Sequence, residues 1–257
     1  MVQRICKQLD PGKRLVEPFA GSAAVFLNTD YDSYLLADSN PDLINLYQRL
    51  QTEGQSFVDY CHGFFSSGKN NEKCYYEYRT EFNATNDTRL KSALFVYLNR
   101  HCYNGLCRYN AKREFNTPFG RHHRPYFPGK EMQHFFHAAV KAEFIHAGFL
   151  DTMRRVQEGD VVYCDPPYTP LSETACFTDY FSGGFNWEDQ IELAEWASQL
   201  AKRGIQVVIS NHNTKSTRDL YQGAGARMEK FKVRRTISCD AENRDLVSEL
   251  LAVFHPV

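Results

Sequence analysis

Asp165, Pro166, Pro167 and Tyr168 close the run "VVYCDPPY" (161–168), where four residues suited to a buried strand meet an acid, a rigid elbow and a ring. Proline has no backbone N–H, so two in succession end any helix or central strand at that point. Such an arrangement suits one kind of chemistry. An aromatic amine such as the N6 of adenine is a poor nucleophile because its lone pair is delocalised into the ring. Two acceptors aimed at its N–H bonds favour a pyramidal nitrogen and free that lone pair to attack. Asp165 can supply one acceptor and the Pro166 carbonyl the other, while Tyr168 stacks on the face of the base. An alkyl donor held in line with the nitrogen would complete the site through orientation and preorganised polarity. Neither a metal nor a covalent nucleophile is required.

Two further stretches could hold such a donor. In "EPFAGSA" (17–23) Gly21 allows the backbone to pass close to a ligand, and a following helix would offer free N–H groups. The loop lacks the Lys-Ser/Thr of a phosphate-gripping loop and is not a full G-x-G-x-x-G, which suits a nucleoside without a pyrophosphate. Asp38 ends the next strand, 21 residues after Glu17. An acid near that offset is placed to hold a ribose diol. Read one at a time, a plain βα turn and a capping Asp explain these features as well; together they describe an adenosine site.

The elements needed to position these loops are legible as alternation. "KRLVEPFAGSAAVFLN" (13–28) and "SYLLADSNPDLINLYQRLQ" (33–51) each read as strand, loop and helix. The pattern resumes with candidate strands at 142–149, 160–168 and 205–212. A helix over 186–204 has Asn186 as N-cap and Gly204 beyond its end. This predicts an open α/β sheet, with ligands outside the carboxyl ends of the strands. Residues 52–135 break the alternation. They are expected to form a largely helical insertion carrying a hairpin, dividing a catalytic domain of 1–51 and 136–257. Within it "TRLKSALFVYLNR" (88–100) has Leu90, Leu94, Tyr97 and Leu98 at helical spacing, and Asn104-Gly105 reads as a turn.

Charge marks the insertion too. The net charge is −1, yet residues 89–130 hold nine Lys/Arg and one acid, Glu114, leaving 21 basic and 30 acidic residues elsewhere. A basic island interleaved with Tyr103, Asn104, Arg108, Tyr109 and Asn110 fits a nucleic-acid backbone with bases to stack on or read. A base inside a duplex must be flipped out to reach a pocket such as that of Asp165. The eight cysteines form no C-x-x-C pair, which points to reduced thiols and a cytoplasmic protein. No window approaches 18 uncharged apolar residues, so no transmembrane helix is expected. His134 and His137 (H-x-x-H) are read as helix decoration rather than zinc ligands.

Assembled in this order, "LVEPFAGSAAVFLN", "LLADSNPDLINLY", "YLNRHCYNGLCRYNAKREFNTPFGRHHRPYFP", "VVYCDPPYTPLSETACFTDY" and "VISNHNT" resemble the Dam-type DNA adenine-N6 methyltransferases. Their motif order is that of the alpha group. The resemblance implies the Rossmann-like open sheet of a class I methyltransferase, S-adenosylmethionine as cofactor, methylation of adenine N6 in duplex GATC after base flipping, and a monomer without metal or membrane partner. It implies that Asp38 binds the ribose, with Glu17, Pro18, Phe19, Gly21 and Phe149 around the cofactor and Asp165 close to it. It implies that Leu106 intrudes into the DNA and Arg108 reads it. Arg100, Tyr103, Asn104, Asn110, Asn116, Pro118, Arg121 and His122 match other contact positions. Three departures stand out. A Lys-Trp-Ala-Gly-Gly-Lys segment expected upstream does not occur in residues 1–14. Ala23 replaces a glycine. His122 and His123, whose charge depends on pH, stand where an aromatic and a cation are common. Two alternatives therefore stay open: a shortened relative that binds DNA but methylates weakly or not at all, and an RNA adenine methyltransferase.

Overall fold

A computed structural model describes residues 1–168, 185–234 and 246–257. Seven strands form one sheet in the order β3-β2-β1-β4-β5-β7-β6. They are β1 (Arg14–Glu17), β2 (Ser33–Asp38), β3 (Ala142–His146), β4 (Asp160–Cys164), β5 (Gln206–His212), β6 (Arg227–Arg234) and β7 (Leu246–Phe254). The central strands β2, β1, β4 and β5 run parallel, and β7 pairs antiparallel with both β5 and β6. This is an open, mostly parallel α/β sheet. Order reverses between β1 and β4, so the carboxyl ends of these two strands flank the crevice where such sheets bind ligands.

By compactness the chain divides into Met1–Ser39 with Ile145–Val257, and Asn40–Phe144. In the first unit, β4 and β5 bury every residue, as strands covered on both faces must. The helix over Trp187–Lys202 lays Leu193, Ala194, Ala197, Leu200 and Ala201 on Val162, Val207, Ile209 and Phe254. Asn186 caps this helix reciprocally with Asp189, in the capping box its sequence announces.

One expected element is absent. The segment after Gly21 does not continue as a helix; it makes a single 3-10 turn, Phe26–Asn28. Gly21 (φ 46°) and Ala23 (φ 55°) both lie in the left-handed region. Two such residues within three positions interrupt right-handed helix nucleation. Asn28 and Thr29 then turn their side chains back onto the carbonyls of Ala24 and Val25.

The second unit contains helices α2 (Pro41–Glu53), α3 (Gln55–His62), α4 (Glu72–Ala84), α5 (Thr88–His101) and α6 (Gly129–Ala138). Tyr75, Tyr97, Phe57, Phe82 and Phe115 fill its core. The apolar face read for α5 is present but too narrow a description, since Ser92–Leu98 are all buried. The cut expected at residue 52 falls inside α2, which packs on α5 and α6 within this unit. The thiols of Cys6, Cys61, Cys74, Cys102, Cys107 and Cys164 are free; Cys176, Cys239 and Arg235 lie outside the described residues. Among the described residues no helix is long and apolar enough to cross a membrane.

Candidate active site and nucleic-acid interface

A cavity of about 480 Å³ opens at the carboxyl ends of β1, β2 and β4. It is lined by Glu17, Phe19, Gly21, Asp38, Asp165, Pro166, Pro167 and Tyr168 among others, so the third stretch, more than a hundred residues further along the chain, shares one wall with the first two. Gly21 donates its N–H to Asp38 Oδ2 at 3.0 Å, which ties the two loops together. A Cβ built on Gly21 would meet nothing within 4 Å. Phe19 stacks on Phe149 (5.6 Å, 20°) and meets Phe185 edge-on (5.4 Å). Pro18 and Phe149 are not in the wall; Pro18 is buried behind it and Phe149 supports Phe19.

Glu17 is buried, and its Oε1 has no hydrogen-bond partner. Desolvation, reinforced by the charge of Asp165, pushes its pKa up to about 8. An orphaned carboxyl oxygen in a cavity wall asks for a cation or a donor. Asp38 for a diol, the open Gly21 backbone, the Phe19 face and the Glu17 carboxyl together fit S-adenosylmethionine, which carries ribose, adenine, ammonium and sulfonium groups. The volume lies in the range of small-ligand sites.

Asp165 follows β4 directly. It presents surface to the cavity, yet the surrounding protein withdraws its carboxyl from bulk water and raises its pKa. Ser210 on β5 opposes that shift by donating to Asp165 Oδ1 at 2.6 Å, and the Tyr163 hydroxyl lies 3.1 Å from Ser210 Oγ. Tyr168 packs edge-on against His212 (4.8 Å, 78°). Gln190, buried on the helix Trp187–Lys202, donates Nε2–H to the Pro167 carbonyl at 3.2 Å. None of Ser210, Gln190, Tyr163 and His212 was picked out from the sequence. "VISN" was noted as family-like, but a serine inside an apolar strand carries no spacing signal.

In the second unit, residues 102–119 fold back as an irregular hairpin with bridges Cys102↔Phe119 and Tyr109↔Phe115. The reversal is at Asn110–Glu114, where the Asn110 carboxamide accepts from the N–H groups of Lys112 and Glu114. The turn read at Asn104-Gly105 is a separate left-handed kink (φ 52° and 66°) lower in the same segment. Tyr103, Asn104, Leu106, Arg108, Pro118, Arg121 and His122 are exposed, whereas Asn110 and Asn116 are half-buried. Arg108 donates from Nε to Asn116 Oδ1 (2.8 Å) and from Nη2 to the Asn116 carbonyl (3.2 Å), which holds its guanidinium along the hairpin. Arg100 is engaged by Tyr126, both at its carbonyl (2.9 Å) and over its ring (5.5 Å). His122 meets the Cys102 carbonyl at 3.1 Å. His134 and His137 are exposed on α6, and among the described residues no group of three or more His, Cys, Asp or Glu side chains is placed to hold a metal.

Residues 1–237 match the family model of the D12 class N6 adenine-specific DNA methyltransferases. The chain belongs to this family. Its relatives include proteins named DNA adenine methylase from Vibrio cholerae serotype O1 (48% identical over 257 residues, covering 100% of this chain and 92% of the relative). Those of Escherichia coli K12 (46% over 256 residues, 100% and 91%) and Serratia marcescens (48% over 255 residues, 99% and 94%) are similar to the same extent. Membership implies S-adenosylmethionine as the methyl donor, in keeping with the cavity. It also accounts for a basic hairpin in the same chain as an amine-binding elbow.

Proposed function

We propose that this chain methylates adenine N6 in duplex DNA at GATC, taking the target base out of the stack. The observation that carries the reading is the meeting of Asp165-Pro166-Pro167-Tyr168 with Gly21, Asp38 and Glu17 in one cavity wall. The relatives named DNA adenine methylase and the segment 97–128, similar to the recognition region of Dam-type enzymes, support DNA as the substrate. The same reading makes the enzyme a bacterial cytoplasmic monomer.

When bound, S-adenosylmethionine supplies a methyl group on a sulfonium leaving group. Asp38 would hold the ribose hydroxyls, Glu17 the cationic end, and Phe19 the apolar face. Asp165 accepts one N–H of the target amine on the carboxylate oxygen that Ser210 leaves available. The Pro166 carbonyl accepts the other, its direction set by two proline rings. Tyr168 stacks on the base and keeps the amine facing the donor. With the amine held this way its lone pair would be free to take the methyl group, and Asp165 would accept the proton that the nitrogen gives up. Catalysis here is positioning and fixed polarity. In the hairpin, Leu106 intrudes between bases, Arg108 reads base edges, and Arg121 with the surrounding cations neutralises phosphates.

The test is transfer of labelled methyl from S-adenosylmethionine to a GATC duplex, beside a scrambled duplex, an RNA hairpin and the variant Asp165→Ala. GATC-dependent transfer that Asp165→Ala abolishes, with DNA binding retained, is the expected result. Transfer to RNA alone, DNA binding without transfer, or near-normal turnover by Asp165→Ala overturns it.

A further inference from the structure

We infer that Gln190 is a positioning residue for the amine-binding elbow: it fixes ψ of Pro167, one of the two soft backbone torsions between Asp165 and Tyr168. This rests on the proposed methyl transfer to a stacked base.

Four of the torsions along Asp165-Pro166-Pro167-Tyr168 are restricted by covalent structure. The rings set φ of Pro166 and Pro167, and a following proline confines ψ of Asp165 and of Pro166 to extended values. What remain are ψ of Pro167 and φ of Tyr168, and the first directs both the Pro167 carbonyl and the entry of the chain into Tyr168. That carbonyl receives the Gln190 amide at 3.2 Å.

The orientation of the amide is dictated by groups whose roles are unambiguous. The His212 N–H can only donate, and it donates to Asn211 Oδ1 at 2.8 Å. Asn211 therefore presents Nδ2–H to Gln190 Oε1 (3.2 Å), and the Tyr221 hydroxyl donates to the same oxygen at 2.7 Å. Gln190 is left with its N–H₂ facing Pro167, whose carbonyl can only accept. Gln190, Asn211 and Tyr221 are at most 2% exposed, so the relay is shielded from competing water. It links two helices and β5 to one peptide. Gln190 does not line the cavity, so its effect is on the placement of Tyr168 and the base rather than on cofactor contacts.

The decisive variants are Gln190→Glu and Gln190→Met. In Gln190→Glu, an ionised side chain sets oxygen against the Pro167 carbonyl, whereas a protonated one restores the donor. We expect kcat on a GATC duplex, relative to the unmodified enzyme at each pH, to fall about ten- to a hundredfold at pH 8. It should recover toward parity at pH 6, with the dissociation constant for S-adenosylmethionine unchanged within about twofold. Gln190→Met should lose a similar factor at every pH. A duplex carrying 2-aminopurine at the target position should show altered emission with both variants at pH 8, because the base is no longer held on Tyr168. Recovery at pH 6 also certifies that Gln190→Glu folds. A ratio of Gln190→Glu to unmodified kcat that does not change with pH, full kcat in Gln190→Met, or cofactor binding lost in parallel with kcat overturns the inference. Absence of adenine transfer by the unmodified enzyme removes the functional reading instead, and this inference with it.

Discussion

Ser210 Oγ lies 2.6 Å from Asp165 Oδ1, joining the strand β5 to the residue that follows β4 across a parallel strand pair. The hydrogen bond stabilises the carboxylate in a site where burial disfavours it, and it occupies one of the two oxygens. In the proposed function the other is the acceptor for the substrate amine. Asp165 must be ionised to accept that N–H, so activity is lost as pH falls through its raised pKa.

Ser210→Ala removes the interaction that lowers the Asp165 pKa. The acid limb of the kcat/KM profile should move to higher pH, and activity at neutral pH should fall about tenfold, the loss of one charged hydrogen bond. Tyr163→Phe, which leaves the Ser210–Asp165 bond in place, should move the limb less. An unshifted limb in Ser210→Ala would show that the bond does not tune Asp165.

Glu17 provides a proton-linked signature of cofactor binding. With its pKa at about 8, it is largely protonated at pH 7 in the empty protein. A cation bound against it favours the carboxylate, so binding should release close to one proton. Calorimetry at pH 7 in two buffers of different ionisation enthalpy measures this number directly. Glu17→Gln should release none and bind more weakly. The stability sign follows from the same shift: the folded state holds a proton that the unfolded chain loses near pH 4.5, so folding stability declines as pH rises from there to about 8. Saturating S-adenosylmethionine should offset that decline.

Gly21→Ala separates backbone cost from ligand clash. The left-handed φ of 46° makes the substitution cost about 1–2 kcal/mol in stability. The added methyl meets no protein atom within 4 Å, and Gly21 lines the cavity. A Tm lowered by several degrees, with cofactor affinity reduced more than tenfold, is expected. Asp38→Ala should match the affinity loss and also release the Gly21 loop, since it removes the 3.0 Å acceptor of the Gly21 N–H.

In the hairpin, Arg108→Ala should relax the choice of sequence more than it weakens non-specific binding. Asn116→Ala should act in the same direction but less, because it removes one of the two acceptors that hold the guanidinium. Competition between GATC and single-base variants at fixed salt measures both. Equal loss on all duplexes would make Arg108 a phosphate contact.

Local chemistry was legible where it is written in consecutive residues. Asp165-Pro166-Pro167-Tyr168 announces a rigid elbow because proline acts on its own neighbours, and Asp38 and Asn40-Pro41 mark a strand end and a helix start by the same local logic. Alternating strands and helices gave the open sheet, since burial on two faces demands apolar runs. The helix expected after Gly21 was misread because composition favours it, while the left-handed geometry of Ala23 that stops it is set by the loop's packing. Ser210, Gln190, Asn211 and Tyr221 were silent in the sequence for a related reason. Their roles depend on β5 lying beside β4 and on two helices closing over one carbonyl, and strand order is a property of the whole chain. The sequence determined which groups could bind an amine and a nucleoside; only the tertiary structure decided which buried polar atoms hold them still, because hydrogen-bond partners are chosen by proximity in space and not along the chain.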